Sequence, residues 1–323
     1  MSFEFDLVAL GETMIRHYTR AAMRLEQCAD LGFSIAGSES NLTIAAARLG
    51  LKTAWISKLP KNPLGEKIAR EIAVHGVDLS RVAWTEEGRA GVFYIESGSP
   101  PRPTQVLYDR KGSAASTLSP EEIDWDFVRR SKWFHTTGIT CALSASCLET
   151  VKAATHEAHR GQTLVSLEVN YREKLWSTEQ CRKTLTPLAG EVDLLVTSSE
   201  DVERVFQIQG DGTPQGSRFR EAFGIRRLLM TCGGKGALFI DQDGGCTELS
   251  FDRFPVTVVD RIGTGDAFTA GFFSGWLERD APTGLLYGAA ACALKYSIPG
   301  DLALISREEM LAVAAGDKGG IKR

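Results

Sequence analysis

The stretch VVDRIGTGDAFTAGFFSGW, Val258–Trp276, sets Gly263, Gly265 and Asp266 between a β-branched run and a long apolar segment. FPVTVV, Phe254–Val259, predicts a strand, and Asp260–Gly265 predicts a turn. Phe268, Phe272 and Trp276 then recur every four residues, as on one buried face of a helix. A glycine turn that enters a helix presents unpaired backbone N–H groups and the positive end of the helix dipole, and both favour an anion. Successive N–H groups in such a turn can also form a concave nest for a phosphoryl group. Asp266 does not suit a pure anion site, because its carboxylate repels phosphate. It suits a site in which it takes the proton of a hydroxyl attacking that phosphate. The plainer alternative is an acid favoured in a helix's first turn. The Lys-Ser/Thr pair of a Walker loop is absent.

Outward from this stretch, short β-rich runs alternate with helical patterns. FDLVAL (Phe5–Leu10), KTAWIS, WFHTT, TLVSLEV, VDLLVT, RLLMTC and ALFID read as strands. NLTIAAARLG reads as a helix capped by Asn41 and closed by Gly50, and LGEKIAREIAVHG as a helix closed by Gly76. TLSPEEIDWDFVRR carries a full helix start, with Ser119 as cap, Pro120 first and Glu122 three residues on. Near-continuous apolar strands in βα alternation predict a parallel sheet covered by helices on both faces. Nothing in the 323 residues marks a linker or repeat, so residues 1–323 read as one domain. Two segments break the alternation. Glu12–Ala36 has no clean helix, and Ala90–Ser116 reads as two strands, AGVFYIE and TQVLYDR, joined by SGSPPRP. Together they predict a small sheet beside the main domain, placed where a lid would be or else a decoration without a role.

Hydrophobic residues at 43% and charged residues at 24% suit a chain that buries a sizeable core. The formal net charge of −4 argues against nucleic acid or an anionic membrane as partner. No signal-peptide pattern opens the chain and no apolar run is long enough to span a bilayer. The seven cysteines, Cys28, Cys141, Cys147, Cys181, Cys232, Cys246 and Cys292, form no CxxC pair and read as reduced, buried thiols of a cytoplasmic protein. His156 and His159 stand three apart on a helical pattern, but no third metal ligand follows at a recognisable spacing.

DRIGTGDAFTAGF resembles the C-terminal signature of the PfkB, or ribokinase-like, carbohydrate kinases, normally Asp-Thr-x-Gly-Ala-Gly-Asp. AGSESNLTIAAARLG resembles that family's N-terminal signature, and the resemblance runs from Leu7 to about Asp301. VLYDRKGSAAS (Val106–Ser116), VNYREKLW (Val169–Trp176) and ALKYSIPGD (Ala293–Asp301) are most similar to the 2-keto-3-deoxygluconate kinases within it. The resemblance implies an α/β fold, a ribokinase-like Rossmann-type three-layer domain with a small β-sheet lid. It implies transfer of the γ-phosphoryl group of ATP, with Mg²⁺, to the 6-hydroxyl of a sugar acid, and a homodimer or higher homo-oligomer.

Carried over by position, Asp266 is the general base, and the amides of Gly263, Thr264 and Gly265 form the anion hole. Gly37, Asn41, Tyr108, Arg110 and Arg172 hold the sugar acid, the arginines because their fork suits a carboxylate. A surface ion pair is the commoner fate of such arginines. ATP lies along TCGGKGALF and the glycine turn, with Ser198, Thr231, Gly233, Gly236, Gly263 and Gly265 as its contacts. GGKG alone reads equally as a hairpin turn. Asp201 and Glu200 are expected at the metal, through water. The pattern is broken at Ala36, where glycine is usual, at Phe93, where tyrosine is frequent, and at Ser198, where asparagine is usual. In KLPKNPLG, Pro60 and Asn62 are expected to reshape the rim of the site. These departures leave open a fructokinase or other neutral-sugar kinase, and a catalytically silent sugar-binding relative.

Overall fold

The computed structural model describes residues 3–20, 23–98 and 101–317. Ala21 and Ala22, inside the first expected lid segment, and Ser99 and Pro100, in the loop SGSPPRP, lie outside them. Eight strands form one sheet in the order Cys246–Ser250, Gly236–Ile240, Leu228–Thr231, Leu194–Ser198, Leu164–Glu168, Ser131–Thr137, Phe5–Leu10 and Thr53–Ile56. The strands from Leu228–Thr231 to Thr53–Ile56 are mutually parallel, and the remaining two pair antiparallel. Neighbouring residues on a strand face opposite ways. Leu7, Trp133, Leu194 and Leu229 therefore join one core, with Ser38–Arg48, Thr264–Glu278, Ala281–Tyr296 and Arg307–Ala314. Val8, Phe134, Leu195 and Met230 join the other, with Ala145–Arg160, Thr178–Glu191, Ser199–Phe206 and Gly212–Ala222. This is the expected three-layer α/β architecture.

The helix Thr264–Glu278 is fixed by burial. Phe268 and Phe272 are 1% and 0% exposed, and each such ring contributes roughly 1.5–3 kcal/mol. Its Gly271 faces the backbone of Tyr287 and Gly288, so the helix lies tight against Ala281–Tyr296.

The two expected lid segments do form a second sheet, in the order Gly32–Ala36, Met14–Tyr18, Val92–Glu96 and Gln105–Asp109. Met14, Ala36, Phe93 and Ile95 form its own apolar cluster, against which Ile262 of the glycine turn packs.

Several local expectations need correction. FPVTVV is irregular; Val256, Val258 and Val259 are exposed, and no strand pairs with them. Propensity without a neighbouring strand does not make a sheet. The strand Cys246–Ser250 was not anticipated. The first helix begins at Ser38 with Gly37 as its cap, so Asn41 lies inside it. Ser119 caps a 3₁₀ turn, Pro120–Glu122, and a separate short helix Trp125–Arg129 starts from Asp124. Asn62 caps the helix Pro63–Ala73 and Pro60 ends the short strand Lys58–Pro60, so neither shapes the rim of the cleft. Cys28, Cys232 and Cys246 are partly or fully exposed, unlike the other four thiols. His159 Nε2 lies 2.9 Å from Asp193 Oδ2, and no cluster of metal-ligating side chains occurs among the described residues.

Candidate active site

The glycine turn closes against the carboxyl ends of the parallel strands, where α/β sheets bind their ligands. Gly263 caps the helix Thr264–Glu278 with φ +78°, and its carbonyl accepts from the Ala267 amide at 3.0 Å. The amides of Gly263, Thr264 and Gly265 make no hydrogen bond among the described residues. Such free donors at a helix start can receive an anion. The Thr264 hydroxyl is occupied, donating to the Arg261 carbonyl at 2.9 Å.

Asp266 is held in place by two donors. Ser38 Oγ donates to its Oδ1 and Asn41 Nδ2 to its Oδ2, each at 2.8 Å. Asn170 Nδ2 in turn donates to Ser38 Oγ at 2.9 Å. Asn41 therefore positions the carboxylate, a role different from the helix cap read from the sequence. Burial raises the Asp266 pKa, and the bonds from Asn41 and Ser38 and the charges of Arg172 and Lys295 oppose that rise.

Two cavities meet at this point. The first, about 380 Å³, lies between the small sheet and the turn, and its walls include Gly37, Asn41, Phe93, Tyr108, Arg110 and Asp266. The second, about 320 Å³, runs along Ser198, Glu200, Asp201 and Thr231. Glu168, Asn170, Arg172 and Gly265 line both. Gly233 borders an adjoining hollow with Glu200 and Lys235, whereas Gly236 pairs with Ser250 in the hairpin and lines a separate depression. The predicted residues thus fall into a sugar-sized and a neighbouring group, with Gly233, Gly236 and Thr264 lining neither of the two cavities.

The two arginines differ. Arg110 is 8% exposed and paired with Glu12, its Nε donating to Glu12 Oε2 at 2.8 Å and its Nη2 to the same oxygen. The ion pair foreseen as the commoner fate is present, but buried in the cavity wall. Arg172 is exposed, and among the described residues its side chain donates only to the Tyr171 carbonyl, at 2.9 Å. Arg172 is the more available cation. Ala36 and Phe93 both line the first cavity, the latter with its ring centroid 5.8 Å from that of Tyr108.

Sequence reading missed Glu168, which stands just before VNYREKLW. Its Oε2 is buried without a partner among the described residues. Burial, reinforced by the charges of Asp266 and Asp201, raises its pKa to about 8. Ser38, Asn170, Glu12 and Asp301 were missed as well. In the second cavity, Ser198 Oγ accepts from the Asp201 amide at 3.0 Å, so serine serves as a helix cap where asparagine was expected. Asp201 and Glu200 supply hard oxygen donors suited to magnesium. They do not form an all-protein cage.

A model of the pfkB family of carbohydrate kinases matches residues 4–301. The chain is 40% identical over 319 residues to a 2-dehydro-3-deoxygalactonokinase of Haloferax volcanii, covering 98% of this chain and 99% of that one. It is 31% identical to a 2-dehydro-3-deoxygluconokinase of Bacillus subtilis, covering 96% and 95%. The crystal structure of a 2-dehydro-3-deoxygluconokinase from Thermotoga maritima superposes with a TM-score of 0.88 at 28% identity, over 98% of this chain and all of that one, 100%.

Proposed function

The chain belongs to the pfkB family of carbohydrate kinases, and within that family we propose that it phosphorylates a 2-keto-3-deoxy sugar acid at its 6-hydroxyl, using ATP. The observation that carries this reading is the joint lining of the two cavities by Arg172 and Gly265, with Asp266, next to Gly265, in the wall of the first. The sugar acid occupies the first cavity and the ATP phosphates the second. Asp266 takes the hydroxyl proton as the oxygen attacks the γ-phosphorus. The new oxygen–phosphorus bond forms as the β,γ-bridge breaks, and ADP leaves with the bonding electrons. The free amides of the turn receive the charge developing on the phosphoryl oxygens. Asp201 and Glu200 hold magnesium through water, and the ion, when bound, neutralises phosphate charge. The small sheet then acts as a lid.

The gluconate epimer follows from the stretches noted above; the 40% identity to a galactonokinase favours the galactonate epimer as a second reading. The two acids differ at C4. A coupled assay over both epimers and fructose decides: sugar-acid kinase activity requires kcat/KM on an acid to exceed that on fructose clearly.

Arg172→Ala is expected to lower kcat/KM on the preferred acid about ten- to a hundredfold, from a lost charged hydrogen bond of about 1.5–3 kcal/mol. Residual turnover of fructose should barely change. Equal losses on both substrates would move Arg172 from the carboxylate to the phosphates. Arg110→Ala is a poorer probe, since it strands the buried Glu12 charge.

Asp201→Ala is expected to raise the Mg²⁺ concentration for half-maximal rate about ten- to a hundredfold, as for other groups that orient a metal's water ligands. The sugar KM should move far less. A Mg²⁺ titration with the reverse pattern would remove Asp201 from the metal.

A further inference from the structure

The small sheet touches the glycine turn in two ways. One is apolar, through Ile262. The other is ionic and comes from Arg16, on the inner strand Met14–Tyr18. Arg16 lies two residues from Met14, so both project from the same face of that strand. Its Nη1 lies 3.0 Å from Asp301 Oδ2 and its Nη2 lies 3.8 Å from Asp260 Oδ2. The Arg16 and Asp301 side chains are each 6% exposed, which takes the pair out of the weak, screened class of surface ion pairs.

Both acids are built into the turn. Asp260 opens it: Oδ1 accepts from the Ile262 amide at 3.0 Å, and Oδ2 from the Gly300 amide at 2.9 Å. Asp301 backs it, since a Cβ on Gly263 would lie 2.0 Å from the Asp301 carbonyl oxygen. The Asp301 side chain also lines the first cavity. Lys295, fully buried and donating to the Ile298 carbonyl at 2.8 Å, adds a second positive charge to the cluster. Two cations and two carboxylates thus enclose the turn, and Arg16 alone among them comes from the small sheet.

We propose that Arg16 is a positioning residue for phosphoryl transfer, holding the Asp260–Gly265 turn and the small sheet in one fixed relation through Asp301 and Asp260. The inference rests on the reading of that turn as the phosphoryl site. Its mechanism is geometric. The guanidinium fork reaches both the carboxylate that opens the turn and the one behind it, so losing it frees the turn to shift against Asp266. A displacement of about 1 Å in such a site costs on the order of a hundredfold in rate.

The test compares Arg16→Gln, Arg16→Lys and the neutral pair Arg16→Gln/Asp301→Asn, with Asp266→Asn as reference. The readouts are kcat, both KM values and the near-ultraviolet circular dichroism of each folded variant. Arg16→Gln is expected to lose about 10- to 100-fold in kcat, with both KM values within about threefold. Arg16→Lys, which keeps the charge and loses the fork, should recover part of that loss. The neutral pair removes the stranded buried charge, and it should fold yet stay slow. Parental kcat in Arg16→Gln overturns the proposal. So does recovery of kcat in the neutral pair, which would show that Arg16 only balances charge. If Arg16→Gln does not fold, the neutral pair and Arg16→Lys decide between the same outcomes. Normal turnover in Asp266→Asn would instead bring down the reading of the turn, and Arg16 with it. A dead Asp266→Asn beside a fully active Arg16→Gln removes this inference alone.

Discussion

The Asp266→Asn enzyme is expected to turn over about 10²–10⁴ times more slowly than the parent, with little change in KM for ATP or sugar. Asparagine keeps the volume of the side chain; its oxygen can accept from Asn41 and its NH2 can donate to the Ser38 hydroxyl, so the site should stay assembled. What disappears is the proton acceptor. The neighbouring Glu168 strengthens the assignment. With its pKa raised to about 8 by burial, Glu168 is largely protonated at neutral pH and spares Asp266 a second negative neighbour. Burial disfavours charge on both carboxyl groups, and the charge of Asp266 further disfavours ionisation of Glu168. Burial raises the Asp266 pKa above its ordinary value of 3.8, so the base is lost on acidification at a higher pH than for an exposed aspartate. The acid limb of the kcat/KM profile should accordingly lie above the usual carboxylate range and belong to the Asp266–Glu168 pair jointly. The asparagine variant should lack the share of that limb due to Asp266. Near-parental turnover in the variant would sink the assignment.

The strand and helix order of the main domain was legible because the buried parallel strands are largely apolar and several of their helices carry side-chain caps. The turn was legible because its chemistry is local: Gly263, Thr264, Gly265 and Asp266 are consecutive. What failed depended on partners distant in sequence. Residues 256–259 have strand composition but pair with no strand among the described residues. Asn41 read as a cap because its true partner, Asp266, is 225 residues away. The ion pair weighed for Arg110 could not be given its partner for the same reason, since Glu12 lies 98 residues before it. Glu168, Ser38, Asn170 and Asp301 carried no local signal. They were found only when the fold brought strand ends, turn and small sheet to one cleft.

Gly263→Ala and Gly265→Ala should both lose activity, about 10²–10³ in kcat for the first if the anion-hole donors move, but for opposite reasons. Gly263 has φ +78°, a conformation that costs an L-residue about 1–2 kcal/mol. Its added methyl would also sit 2.0 Å from the Asp301 carbonyl oxygen and 2.9 Å from the carbonyl carbon, both backbone atoms that cannot rotate away. The turn, the Asp301 segment or both must shift, so this variant should lose Tm together with rate. Gly265 has no such strain, and a methyl there meets no atom within 4 Å. Gly265 lines both cavities, and in the proposed mechanism that open space receives the transferring group. Gly265→Ala should therefore keep the parental Tm while its kcat falls and its KM for ATP rises. Thermal melts and steady-state kinetics on the two variants separate the glycine that shapes the turn from the glycine that leaves space for the phosphoryl group. Full activity in Gly265→Ala would mean that the reacting phosphate does not pass over this turn, and the kinase mechanism drawn around Asp266 would have to be abandoned.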